Sequence, residues 1–225
     1  MSKKIISYIL LFLILPVIIV AGTFIFNDKQ YAFVSLAVAG ISCIPFFLSF
    51  EKRNDNTKKL IIVAIMVALT VISRIIFAPI PGFKPVTAMI IITAIYLGGE
   101  AGFITGAMTA VISNFYFGQG PWTPIQMFVW GLIGFLAGIF ASGIKKSKVI
   151  MIIFGIFSGI IFSLLMDVWT VIWWDGSFNL SRFLVAIISA GWFTLLYAFS
   201  NVIFLLLLAK PIGKKLDRIK SKYGV

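Results

Sequence analysis

Apolar residues fall in long runs along this chain, separated by short clusters of charge, proline and glycine. A run of about 20 apolar residues can cross the hydrocarbon core of a bilayer as a helix, which satisfies every backbone polar group within the segment. The runs predict helices at about 5–26, 31–50, 60–77, 86–97, 101–117, 125–142, 149–173 and 180–208. The breaks between them are EKRNDNTKK (51–59), APIPGFKP (78–85), Gly98-Gly99-Glu100, the glycine- and proline-containing stretch around 118–124, KKSK (145–148) and WWDGSFN (173–179). A basic tail, KPIGKKLDRIKSK (210–222), follows the last run. The first run is too long for a signal peptide, and no small-residue cleavage site closes it.

Composition agrees with this pattern. The chain is 61% hydrophobic and 12% charged, where a soluble domain carries about 25% charged residues. The fold class is therefore an all-α polytopic membrane bundle. The net charge of +12 would suggest nucleic acid in a soluble protein. Here 15 of the 19 Lys and Arg residues fall on the side holding both termini, the 51–59 linker and KKSK. The positive-inside rule makes that side cytoplasmic and the protein a multi-pass cell-membrane protein. The loops at 78–85, 118–124 and 174–179 then face outside.

Three glycine pairs, Gly102/Gly106, Gly134/Gly138 and Gly155/Gly159, have the small-xxx-small spacing that lets helix backbones approach closely in lipid. On the 60–77 helix, Ala64 and Ala68 are four apart and make a flat stripe, while Arg74 falls roughly 100° from its centre. One face can meet a flat partner as Arg74 turns into the bundle.

Ionisable groups inside a membrane cost roughly 2.5–3.5 kcal/mol at a helix centre. Arg74 lies near the outer end of its helix, and Asp167 lies about 9 Å below the outer end of another at 1.5 Å per residue. An ion pair between them, or two poles of a polar cavity, accounts for both. Other groups gather at the same level: Lys84, Asn114, Gln119, Trp122, Gln126, Trp130 and Trp173, with Gln126 and Trp130 sharing a helix face. These nine residues are the candidate substrate-binding set, for a large and partly polar ligand captured from outside. Asn201 is expected in the cytoplasmic half. The chain has no histidine, which removes Ser/His intramembrane proteolysis, two-histidine zinc proteolysis and imidazole-based metal uptake. No nucleophile–base pair is recognisable, so an enzyme is not expected, and neither a metal site nor a covalent cofactor is expected. No Gly-rich ATP-binding loop is present, so active transport must draw on an ion gradient or on another subunit.

Residues 77–138 read FAPIPGFKPVTAMIIITAIYLGGEAGFITGAMTAVISNFYFGQGPWTPIQMFVWGLIGFLAG. This stretch resembles the substrate-binding S components of energy-coupling factor (ECF) vitamin transporters. FKPVTA, GGEAGFITGA and FGQGPWTPIQMFVWGLIGFLAG are most similar to the cobalamin-type members. The resemblance implies a six-helix S-component core within 57–225, preceded by two extra N-terminal transmembrane helices and a charged linker (1–56). It implies that Ala64 and Ala68 match the family's Ala-xxx-Ala motif for docking on a transmembrane coupling subunit, with two ATPase subunits consuming the ATP. It further implies that the core topples in the membrane to deliver a vitamin, cobalamin being the first expectation. A stand-alone ion-coupled permease and an S component for a different vitamin or metabolite are the alternatives.

Overall fold

The structure, a computed structural model, describes residues 6, 8–25, 37, 41, 44 and 56–223. The helix expected at 31–50 lies almost wholly outside the described residues. The described residues form helices and no strands. They are α1 (Leu15–Ile25, entered through a π-helical turn at Leu10–Ile14), α2 (Asn56–Ile76), α3 (Val86–Leu97), α4 (Gly99–Phe117), α5 (Trp122–Ile139), α6 (Ala141–Lys146), α7 (Lys148–Asp175) and α8 (Leu180–Tyr223). Among the described residues, four helical stretches are long and apolar enough to span a membrane: Lys58–Ile76, Trp122–Ile139, Lys148–Asp175 and Leu180–Tyr223.

The bundle is built around α3, whose residues are buried on every side apart from Tyr96. A helix that is apolar all round belongs in an interior. The glycine pairs set the spacing of α4 against α5. A Cβ at Gly102 would meet the backbone of Gly134 at 2.7 Å, and one at Gly106 would meet that of Trp130 at 2.4 Å. Gly138 abuts Gly99 in the same way. On α7, a Cβ at Gly159 would come within 2.6 Å of the Ala198 nitrogen, so α7 and α8 also touch backbone to backbone there. The N-terminal segment leans on α5: Tyr8 and Phe12 present ring edges to Phe135 at 5.8 and 5.3 Å, and Leu11, Leu15 and Ile19 are buried.

Three boundaries differ from the sequence reading. Helix α5 starts at Trp122, because Pro121 takes a helical conformation and sits at the N-cap. It ends at Ile139, and a separate short helix, α6, then leads to Ser147, whose hydroxyl caps α7 by accepting from the Ile150 N–H. The basic tail is helical and continuous with α8 through Pro211. A proline removes one backbone donor and costs about 3 kcal/mol inside a helix. Here the tail is secured from Gly213 onward: Gly213 packs on the Tyr96 ring, Leu216 is buried, and Lys220 donates to the Tyr96 carbonyl at 2.9 Å. At the other end of the bundle, α7 closes on Gly176 in the left-handed conformation (φ +66°), and Asp175 pairs with Arg182 at 2.8 Å across the turn.

Candidate functional site

The last turn of α2 delivers Arg74 into the bundle with 8% of its surface exposed. Its Nη1 donates to Ser113 Oγ and, at 2.8 Å, to Asn114 Oδ1, both on α4. The guanidinium also lies against two rings, 4.4 Å from the centre of Phe117 and 4.9 Å from that of Trp130. Such contacts stabilise a cation withdrawn from water. Asn114 is the hub of this network. Its amide donates to Thr123 Oγ1 at 3.0 Å and to Gln126 Oε1 at 2.8 Å, so it links the end of α4 to the start of α5.

The 78–85 loop closes over Arg74. Gly82 holds φ +72°, and a Cβ there would press on Leu196 at 3.1 Å. Ser200 donates to the Lys84 carbonyl at 2.9 Å, which ties the loop to α8. The Lys84 ammonium lies 4.5 Å from the centre of the same Phe117 ring that faces Arg74. Burial, and secondarily the Arg74 charge, holds the Lys84 ammonium below the ordinary lysine range.

These groups border one cavity. It has room for water over about 100 Å³ and about 530 Å³ of free space once its open mouth is included. Arg74, Lys84, Gln126 and Trp130 line it as the sequence suggests. Trp130 stacks on Phe162 of α7, with centroids 5.5 Å apart and planes at 17°, and the pair forms the aromatic wall of the cavity. Tyr197 and Asn201 of α8 complete the lining, with Thr87 at the start of α3.

The remaining expected residues are placed elsewhere. Asn114 supports the lining from behind. Gln119 turns away: it donates to the Val111 carbonyl at 2.8 Å and accepts from Thr123, fastening the loop to its own helix. Trp122 is 44% exposed and packs over Gly120. Trp173 is half-buried beside Trp169 at 6.0 Å. The expected ion pair is not formed, because among the described residues Asp167 has neither an ion-pair nor a hydrogen-bond partner. Arg74 is satisfied by Ser113 and Asn114 instead, and Tyr197 lies within electrostatic reach of both Arg74 and Asp167. The cavity is thus bordered by two cations, two amides, two hydroxyls and an aromatic wall, with no carboxylate in its lining. Among the described residues no cluster of three metal-ligating side chains occurs.

Sequence reasoning passed over Thr87, Phe162 and Tyr197, and it did not include Asn201 in the site. The sequence carries only part of the signal, Gly159 in a small-residue pair, and its contact with Ala198 comes from the fold. That contact fixes the register of α8, and Tyr197 and Asn201, four apart, then share the face toward the cavity. Asn201 is itself oriented by donating to the Gly155 carbonyl at 3.1 Å.

A second cavity lies on the outer surface of α2 and α4. Ala64 and Ala68 are exposed, and with Val67, Val71, Ile104 and Met108 they line an apolar groove of about 460 Å³. The stripe and Arg74 do face different ways, as the helical spacing suggests.

No curated protein and no solved structure matches the chain. Residues 54–218, which cover α2 to α7 entirely and nearly all of α8, match a family described as ECF-type riboflavin transporter, S component. The chain therefore belongs to that family and is the substrate-specific subunit of an ECF transporter.

Proposed function

We propose that this S component captures riboflavin, or a close flavin analogue, in the cavity between Arg74, Lys84, Gln126 and Trp130. The observation that carries the vitamin's identity is the family match over residues 54–218, whose description names riboflavin. The cavity supports it chemically. A flavin head is flat, aromatic and edged with carbonyl oxygens. The Trp130–Phe162 wall suits its faces, and Arg74 and Lys84 suit its oxygens. Arg74 uses Nη1 on Ser113 and Asn114, which leaves Nη2 and Nε without partners among the described residues. The Gln126 Nε2 is likewise uncommitted.

The cavity now admits water over only about 100 Å³, below the roughly 300–1,000 Å³ of small-molecule sites, so it must open to take any vitamin, and it opens less for a flavin than for a larger one. Cobalamin, the first expectation from the sequence, carries a corrin ring with amide arms and a nucleotide loop and is far larger than a flavin. Only part of the free space admits water now, so the ligand displaces the 78–85 loop or the Phe162 ring as it seats.

Delivery follows from the exposed Ala64/Ala68 groove, which docks on a transmembrane coupling subunit served by two ATPases. The loaded core topples in the membrane to release the vitamin on the inner side, where both termini lie. The test is titration of purified protein with riboflavin, read as quenching of flavin fluorescence. Saturable submicromolar binding that weakens in Arg74→Leu is expected. Absence of flavin binding together with cobalamin binding would overturn the assignment.

A further inference from the structure

At the end of the bundle opposite the 78–85 loop, a third cavity of about 560 Å³ opens among α3, α6, α7 and α8. Four lysines border it: Lys145 and Lys146 at the end of α6, Lys148 at the start of α7, and Lys210 on α8. Its other walls are apolar, chiefly Met151, Leu205 and Leu206. The Lys145 ammonium lies 4.0 Å from the centre of the Tyr96 ring. Burial holds it below the ordinary lysine range, with Asp217 opposing that shift and Lys220 adding to it. Lys146, Lys148 and Lys210 have no hydrogen-bond or ion-pair partner among the described residues.

We infer that this cavity is a binding site for the headgroup of an anionic phospholipid. The position of the lysines argues for lipid over a soluble anion. Lys148 opens the apolar span of α7, and Lys210 closes the apolar run of α8, so the positive charges stand at one membrane interface. A phosphodiester meets the ammonium groups while its acyl chains cover the Met151–Leu205 wall, which a free phosphate leaves bare. None of the lining comes from α2 or α4, so coupling-subunit docking at the Ala64/Ala68 groove leaves the site open.

The full chain, purified in detergent, is incubated with dioleoyl-phosphatidylglycerol or dioleoyl-phosphatidylcholine, and retained lipid is counted by native mass spectrometry. The two lipids differ only in the headgroup. One retained phosphatidylglycerol, and no comparable retention of phosphatidylcholine, is expected. The variant K148Q/K210Q should weaken retention on the order of fivefold per lysine, about 25-fold together. K214Q/K222Q, on the same helix but outside the cavity, should bind as the unsubstituted chain does. Equal retention of both lipids, or unchanged retention in a K148Q/K210Q protein of normal helix content, overturns the proposal. Displacement of phosphatidylglycerol by millimolar inorganic phosphate also overturns it and marks a soluble-anion site. The comparison of the two lipids on unsubstituted protein decides the matter even if the variant does not fold.

Discussion

Replacing Asn114 with alanine tests whether the cavity is held in shape from behind. Asn114 is not part of the cavity lining, is 1% exposed, and makes three side-chain hydrogen bonds: from Arg74 at 2.8 Å, to Thr123 at 3.0 Å and to Gln126 at 2.8 Å. A hydrogen bond to a charged group contributes about 1.5–3 kcal/mol and a neutral one about 0.5–1.5 kcal/mol. Interhelical bonds in bilayers average lower, about 0.6 kcal/mol. Arg74 keeps Ser113, so the guanidinium stays but loses one of its two anchors. The charged bond sets the scale for ligand binding, because it orients the cation that meets the flavin. About 2 kcal/mol is expected, which is roughly 30-fold in Kd. The assay is fluorescence titration with riboflavin beside a thermal melt of the same preparation. Asn114→Asp retains an acceptor for Arg74, and Gln126 can turn its Nε2 toward the new carboxylate, so this variant should recover much of the affinity. If Asn114→Ala binds within threefold of the unsubstituted chain, the network does not shape the site and the reasoning fails.

Other predictions follow the same geometry. Gly106→Ala places a methyl 2.4 Å from the Trp130 backbone, which cannot yield as a side chain would, so α4 and α5 must part; a loss of about 1–3 kcal/mol in stability is expected, read as a lower melting temperature. Lys84 carries a depressed pKa in the folded protein, so above that value the unfolded chain binds more protons and stability rises with pH until the ordinary lysine value is passed. Melts at rising alkaline pH should therefore show the unsubstituted chain gaining on Lys84→Met, and a constant gap would contradict this. Ala64→Leu with Ala68→Leu fills the groove on α2 and should abolish transport by the assembled complex while leaving riboflavin affinity unchanged; loss of binding would place the groove in the vitamin site instead.

Much of this architecture is legible in the sequence because the bilayer leaves few choices. Among the described residues the long apolar runs are helices, and APIPGFKP and the GSFN half of WWDGSFN are connections, while residues 173–175 belong to α7. All three glycine pairs mark close helix contacts, since a missing Cβ there has a direct geometric meaning. Helix ends were less legible. Pro121 initiates α5, and Pro211 interrupts nothing, because tertiary contacts of the tail override its local cost. The site was read by depth along each helix, and depth does not fix the direction a side chain faces. Arg74, Lys84, Gln126 and Trp130 met in the cavity, whereas Trp122 and Trp173, at suitable heights, lie outside it. Arg74 and Asp167 have opposite charge, yet Ser113 and Asn114 on the adjacent α4 reach the guanidinium first. Tyr197 and Asn201 depend on the register of α8 against α7, which a single helix does not reveal.

The central claim is that a flavin sits beside Arg74 against the Trp130–Phe162 wall. Its most direct measurement is equilibrium titration of the purified chain with riboflavin, following protein tryptophan and flavin fluorescence together, in the unsubstituted chain and in Trp130→Ala. Mutual quenching with a submicromolar Kd, lost or weakened at least tenfold in Trp130→Ala, is the predicted result. Flavin binding that is indifferent to Trp130, or no flavin binding by a folded chain, would contradict it.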